Sequence, residues 1–157
     1  ADAVVLLAGE LGPAPANGTY EVKFSVPTAG AVGWSHLSLH LGADDDGTAL
    51  SGTDIRHNGY TVQVSSTRSL KIYKDDKAAG TSTQLANTAA GADIPAATVY
   101  TLRLVVTATQ LTLSVPELSL TATVTDSTYR VPWHVFVGRN YSATAVGLIN
   151  VISISTP

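Results

Sequence analysis

The run Trp34-Ser35-His36-Leu37-Ser38-Leu39-His40-Leu41 alternates polar or ring-bearing side chains with three leucines. Successive side chains of an extended strand point to opposite faces. Leu37, Leu39 and Leu41 therefore line one side, and Trp34, His36, Ser38 and His40 the other. The leucine side is a core face. The opposite side sets an indole and two imidazoles in a row on what should be the wet surface of a sheet. Amphipathic rings on a fixed platform can stack on a sugar ring and hydrogen bond its hydroxyls. His36 and His40 stand about 13 Å apart along such a strand, too far to ligate one metal ion together. They line a groove or bond to cross-strand neighbours. The expectation is that these rings stand together in an accessible trough.

Further candidates extend this surface. Gln63, Tyr73 and Arg103 take the outward phase of their strands. They enlarge the platform if those strands share its sheet, and are ordinary solvated residues if they do not. Arg139, Asn140 and Tyr141 follow Gly138 in an expected loop. There the guanidinium fork and the paired donor and acceptor of the amide suit sugar hydroxyls. Trp133 shares a phase with Val131, Val135 and Val137 and is expected in the core, with His134 and Phe136 pointing the other way. Asp44, Asp45 and Asp46 form the densest carboxylate cluster, and calcium favours several oxygen ligands. The run lacks the Asp-x-Asp-x-Asp-Gly spacing of a calcium loop, so a solvated turn is the simpler reading.

Composition narrows the function classes. The chain has 157 residues, enough for one domain with a sizeable core, expected to span 1–157. Charged residues make up only 13%, and the net charge of −3 provides no electrostatic footprint for nucleic acid. Without cysteine there are no disulfides or thiolate metal sites. No apolar run approaches the roughly 18 residues of a membrane span. The absence of methionine is what a processed chain or a module of a larger protein would show.

The elements that must position these residues are strands throughout. Apolar–polar alternation, broken by Gly, Pro, Asn and Asp, predicts strands near residues 4–11, 19–26, 34–41, 60–64, 70–74, 99–108, 111–115, 118–124, 131–137 and 148–155. A short strand near 83–85 sits in a weakly patterned stretch. The phase change between Ile149/Val151 and Ile152/Ile154 predicts a bulge in the last strand. No segment carries a capped helical period. Connections are hairpin-like, which excludes the helical crossovers of a parallel sheet. The fold class is all-β: two antiparallel sheets packed face to face. The two apolar terminal strands are expected to be neighbours within one sheet.

In order, Gly-Thr-Tyr-Glu-Val-Lys-Phe, Gly-Trp-Ser-His-Leu-Ser-Leu-His-Leu, Gly-Tyr-Thr-Val-Gln-Val, Ser-Leu-Lys-Ile-Tyr-Lys and Val-Phe-Val-Gly followed by a Gly-led last strand make a recognisable series. It resembles the concanavalin A-like lectin/glucanase superfamily, including laminin-G-like domains, over nearly all of the chain after residue 18. The resemblance implies a jelly roll that binds a poly- or oligosaccharide on its concave sheet or rim loops, sometimes with calcium. It also implies an extracellular or surface-exposed accessory module. The leading expectation is a non-catalytic carbohydrate-binding module that requires no cofactor. The alternative is a structural or adhesion module of a phage tail, virion or cell-surface assembly, with its ring-bearing face against a sister subunit or parent protein. Enzyme readings come third. A retaining glucanase needs two carboxylates roughly 5–5.5 Å apart, and Glu21, the one acidic residue inside a confident strand, has no acidic partner two or four residues away. The strand motifs of jelly-roll polysaccharide lyases are missing as well.

Overall fold

The computed structural model describes residues 3–8, 13–27, 36–43, 57–141 and 149–157. The strands are β1 (Ala3–Ala8), β2 (Pro13–Ala14), β3 (Gly18–Ser25), β4 (His36–Gly42), β5 (Gly59–Ser65), β6 (Leu70–Asp76), β7 (Thr81–Asn87), β8 (Val99–Val106), β9 (Gln110–Val115), β10 (Leu120–Thr125), β11 (Trp133–Tyr141) and β12 (Asn150–Ser155), and a 3-10 turn at Pro116–Leu118 leads from β9 to β10. One sheet runs β1-β11-β4-β5-β6-β7, with β2 also on β11, and the other runs β10-β9-β8-β3-β12. Every pairing is antiparallel. The result is the two-sheet β-sandwich that the alternation predicts.

The core lies between the inner faces. Tyr20, Val22 and Phe24 of β3 meet Leu37, Leu39 and Leu41 of β4, Tyr60, Val62 and Val64 of β5, and Leu102 and Leu104 of β8, all essentially closed to solvent. Trp133 is fully buried, as its phase predicts, and its indole N–H donates to Ala16 O at 3.0 Å. Such a bond spares the buried donor its desolvation cost. Val131, expected in phase with Trp133, is instead exposed, because β11 begins at Trp133.

The predicted bulge in the last strand is present, between Val151 and Ser153 against β3. The weakly patterned stretch holds a full strand, β7, nearly all of it exposed. An edge strand with both faces wet has no alternation to read. The terminal strands are not neighbours: β1 pairs with β11 and β12 with β3, in different sheets. Apolar content marks an end strand as partly covered and does not name its partner.

A polar cluster joins the turn after β10 to the core. Tyr60 Oη donates to Asp126 Oδ1 at 2.5 Å, and Lys74 Nζ lies 3.1 Å from Asp126 Oδ2. The Thr128 amide also donates to Asp126, and the Arg130 guanidinium stacks over the Tyr60 ring. Burial works to raise the Asp126 pKa, but bonds from Tyr60, Thr128 and Lys74 overrule it and hold the carboxyl well below its usual range. Asp126→Ala removes the acceptor of the Tyr60 hydroxyl proton and the partner of Lys74, and a loss of about 2 kcal/mol is expected in urea unfolding at neutral pH.

Candidate functional site

The site is built on the outer face of the larger sheet. Because Leu37, Leu39 and Leu41 take the core side of β4, His36, Ser38, His40 and Gly42 must take the other. Register then brings outward residues of five strands into rows. Phe136 (β11), His40 (β4), Thr61 (β5), Tyr73 (β6) and Gln84 (β7) form one row. Gly138, Ser38, Gln63, Lys71 and Asn87 form the next. His134, Gly42, Gly59, Asp75 and Ser82 form a third. His57, just before β5, stacks on Phe136 with ring centroids 5.3 Å apart, so all four histidines of the chain gather on this face.

A hydrogen-bonded relay links four of these strands. Ser82 Oγ and Thr61 Oγ1 each donate to Asp75 at 2.6 Å, one to each carboxylate oxygen. Thr61 Oγ1 lies 2.9 Å from His40 Nδ1. Since the threonine proton goes to Asp75, the hydroxyl oxygen accepts from Nδ1–H, and Nε2 is left as a bare acceptor. Nε2 of His40 and Oγ of Ser38 are both closed to solvent and have no hydrogen-bond partner among the described residues. Burial lowers the His40 pKa to about 4, with further lowering by His57 and His36. Burial raises that of Asp75, against opposing bonds from Ser82 and Thr61 and the nearby His57.

Sequence reasoning located part of this arrangement. His36, His40, Gln63 and Tyr73 share the face as expected. The expected open trough of rings is corrected. Ser38 is 1% exposed, Phe136 lies under His57 at 6%, and His40 Nε2 is enclosed, so the β11–β4 end is shut. The accessible part lies over β6 and β7, where Lys71 and Tyr73 are partly exposed and Gln84 and Asn87 exposed; Gln63, expected to extend the platform, is buried on β5. Arg103 does not join. It belongs to β8 in the other sheet, where its Nε donates to Glu21 Oε1 at 2.7 Å. Arg139, Asn140 and Tyr141 are not in a loop, because β11 continues through them, with Asn140 in register with His36. Trp34, Asp44, Asp45 and Asp46 lie outside the described residues. Among the described residues no group of three His, Asp or Glu side chains could hold a metal ion. Thr61, Asp75 and His57 were missed. The outward phase of Thr61 and Asp75 was available as a signal, but His57 lies outside any alternating run.

No family model matches the chain, and no curated protein does. Solved structures do. A tetrameric galectin from the ball sponge Cinachyrella superposes with a TM-score of 0.61 at 14% identity, covering 98% of this chain and 96% of that one. A toad ovary galectin in complex with thio-digalactose gives 0.55 at 10% identity, with 100% of both chains covered. The carbohydrate-binding module CBM66 from Bacillus subtilis gives 0.53 at 15% identity, covering 88% of this chain and 78% of that one. The chain thus shares the two-sheet jelly-roll fold of these solved structures.

Proposed function

We propose that the chain is a non-catalytic carbohydrate-binding module whose glycan lies across the outward face of β6 and β7. One observation supports this reading: Tyr73, Lys71, Gln84 and Asn87 converge from adjacent strands on the accessible part of a single polar face. The Tyr73 ring provides the stacking surface, and its hydroxyl is steadied by a bond to Gln84 Oε1 at 3.3 Å. The amides and the ammonium group match sugar hydroxyls as donors and acceptors. The fold's likeness to a carbohydrate-binding module and to a galectin crystallised with thio-digalactose supports the same class of ligand. On this reading the module is extracellular or surface-exposed, accessory to a larger protein or assembly, and needs no bound ion.

A glycan array followed by calorimetry tests the proposal. Tyr73→Ala should weaken binding at least about tenfold, because stacking and the area it buries are lost. Arg103→Ala should leave affinity unchanged, since it removes only a surface ion pair on the opposite sheet. An array without a binder, or equal affinities for Tyr73→Ala and the wild type, overturns the assignment.

A further inference from the structure

The accessible strip of the outer face carries opposite charges at its two ends. Lys71, Tyr73 and Asp75 occupy alternate positions of β6 and point the same way, with about 13 Å of strand between the lysine and the aspartate. Lys71 is half-buried, and its neighbours on the face, Gln63, Asn87, Ser69 and Tyr73, are all uncharged. It has no carboxylate partner among the described residues. Lys74, Arg103 and Arg130, by contrast, are held by Asp126, by Glu21, and by the carbonyls of Thr107, Asp126 and Tyr129. Arg68, in the turn that leads into β6, adds a second unpaired cation at the same end. Its Nε is buried without a partner among the described residues, and its Nη2 meets Asp93 O at a long 3.5 Å. At the other end Asp75 accepts from Ser82 and Thr61, each at 2.6 Å, as an ionised carboxylate does. The Debye length at physiological salt is about 8 Å, so the two ends do not neutralise one another.

We propose that the strip takes a glycan with one anionic substituent, a carboxylate or a sulfate ester, which pairs with Lys71 while an uncharged ring lies on Tyr73 and hydroxyls face Asp75. The inference rests on the carbohydrate reading above and names its ligand class. A cation drawn partly out of water and left unpaired costs free energy that an anionic ligand recovers. Tyr73 stands two positions from each charge, roughly 7 Å along the strand. A ring stacked there brings its substituents within reach of both. The ammonium is a compact charge with rotatable donors, so it serves a carboxylate and a sulfate alike. Gln84, whose Oε1 accepts from Tyr73 Oη, keeps its amide N–H groups for the ligand's oxygens. Asp75 sets the direction. A hydroxyl donates to its carboxylate, whereas a second anion there meets like charge. The glycan therefore lies along β6 with its anion toward the β5–β6 turn, where Arg68 adds to the attraction.

An array of neutral oligosaccharides beside their uronic-acid and O-sulfated counterparts tests the proposal, with calorimetry on the matched pairs that bind. The singly charged member should bind about five- to tenfold more tightly than its neutral counterpart at low ionic strength. Salt at about 0.5 M, where the Debye length falls to roughly 4 Å, should erase that ratio. Lys71→Gln should bring the ratio close to one, and Lys71→Arg should keep it. Lys23→Gln removes an exposed cation from the opposite sheet and should leave the ratio at its wild-type value. A chain charged on every unit should bind the wild type less tightly than one charged at a single end, and Asp75→Asn should narrow that gap. A ratio near one in the wild type, or one that Lys71→Gln leaves intact, overturns the charge assignment. If Tyr73→Ala still weakens neutral and charged members alike, the carbohydrate reading then stands without it. Tighter binding by the chain charged throughout overturns the role of Asp75. Absence of any bound glycan overturns both readings.

Discussion

Between pH 6.5 and pH 4 the wild-type protein is expected to lose about 3 kcal/mol of stability that a His40→Gln variant keeps. His40 titrates near 4 in the fold, chiefly because burial disfavours its charged form, with His57 and His36 adding to the effect. The unfolded chain takes up its proton near 6.5. Above 6.5 both states are neutral at this residue and nothing is lost. As pH falls through the window, the unfolded state binds the proton and the folded state resists, so stability drops until the folded pKa is reached. Asp75 acts in the opposite sense. Its raised pKa lets the folded state take a proton before the unfolded state does, which favours the fold in acid. The measurement is therefore the difference between wild type and His40→Gln, in which the other groups cancel. Urea unfolding at pH 7, 6, 5 and 4.5 should show that difference grow as pH falls. A constant offset across the series would mean that His40 is not enclosed.

Gly59→Ala is expected to cost about 3 kcal/mol or more. Gly59 has φ +150°, and a Cβ there would stand 1.9 Å from the Leu41 carbonyl oxygen. That obstacle is backbone in the neighbouring strand, so no rotamer relieves it. The residue lies opposite Gly42 where β4 pairs with β5, two positions after His57. Any shift there also disturbs the stack that closes the histidine end of the face. Gly80→Ala is the control. Its φ of +62° carries the ordinary left-handed penalty of about 1–2 kcal/mol, but no atom lies within 4 Å of its added methyl. Thermal unfolding of the two variants separates strain alone from strain with collision. Equal melting temperatures would refute the collision.

Much of the arrangement can be read from residue types alone, and the reason is local geometry. The leucines of β4 and the inward residues of β3, β5 and β8 announce their burial by a period of two, as does Trp133 by its phase with Val135 and Val137. The same period separates His36, Ser38 and His40 from the core without reference to any other strand. It fails where a strand is wet on both sides, as in β7, and where a residue lies outside a run, as does His57. It also overextends a platform, because Tyr73 and Arg103 look alike locally.

The amino-acid order therefore determined which side of each strand is polar, that the chain is a sandwich, and that a row of rings and hydroxyls must face away from the core. Tertiary structure alone decided which of those faces share a sheet. It joined Tyr73 to His40 and sent Arg103 to Glu21, closed His57 over Phe136, and split the terminal strands between the two sheets. Alternation is set by neighbours along the backbone. Partnership is set by hydrogen bonds between residues far apart in the chain, 21 positions for His40 and Thr61, 66 for Tyr60 and Asp126, and 82 for Glu21 and Arg103. No local pattern encodes those separations, and the polar site exists only once they are closed.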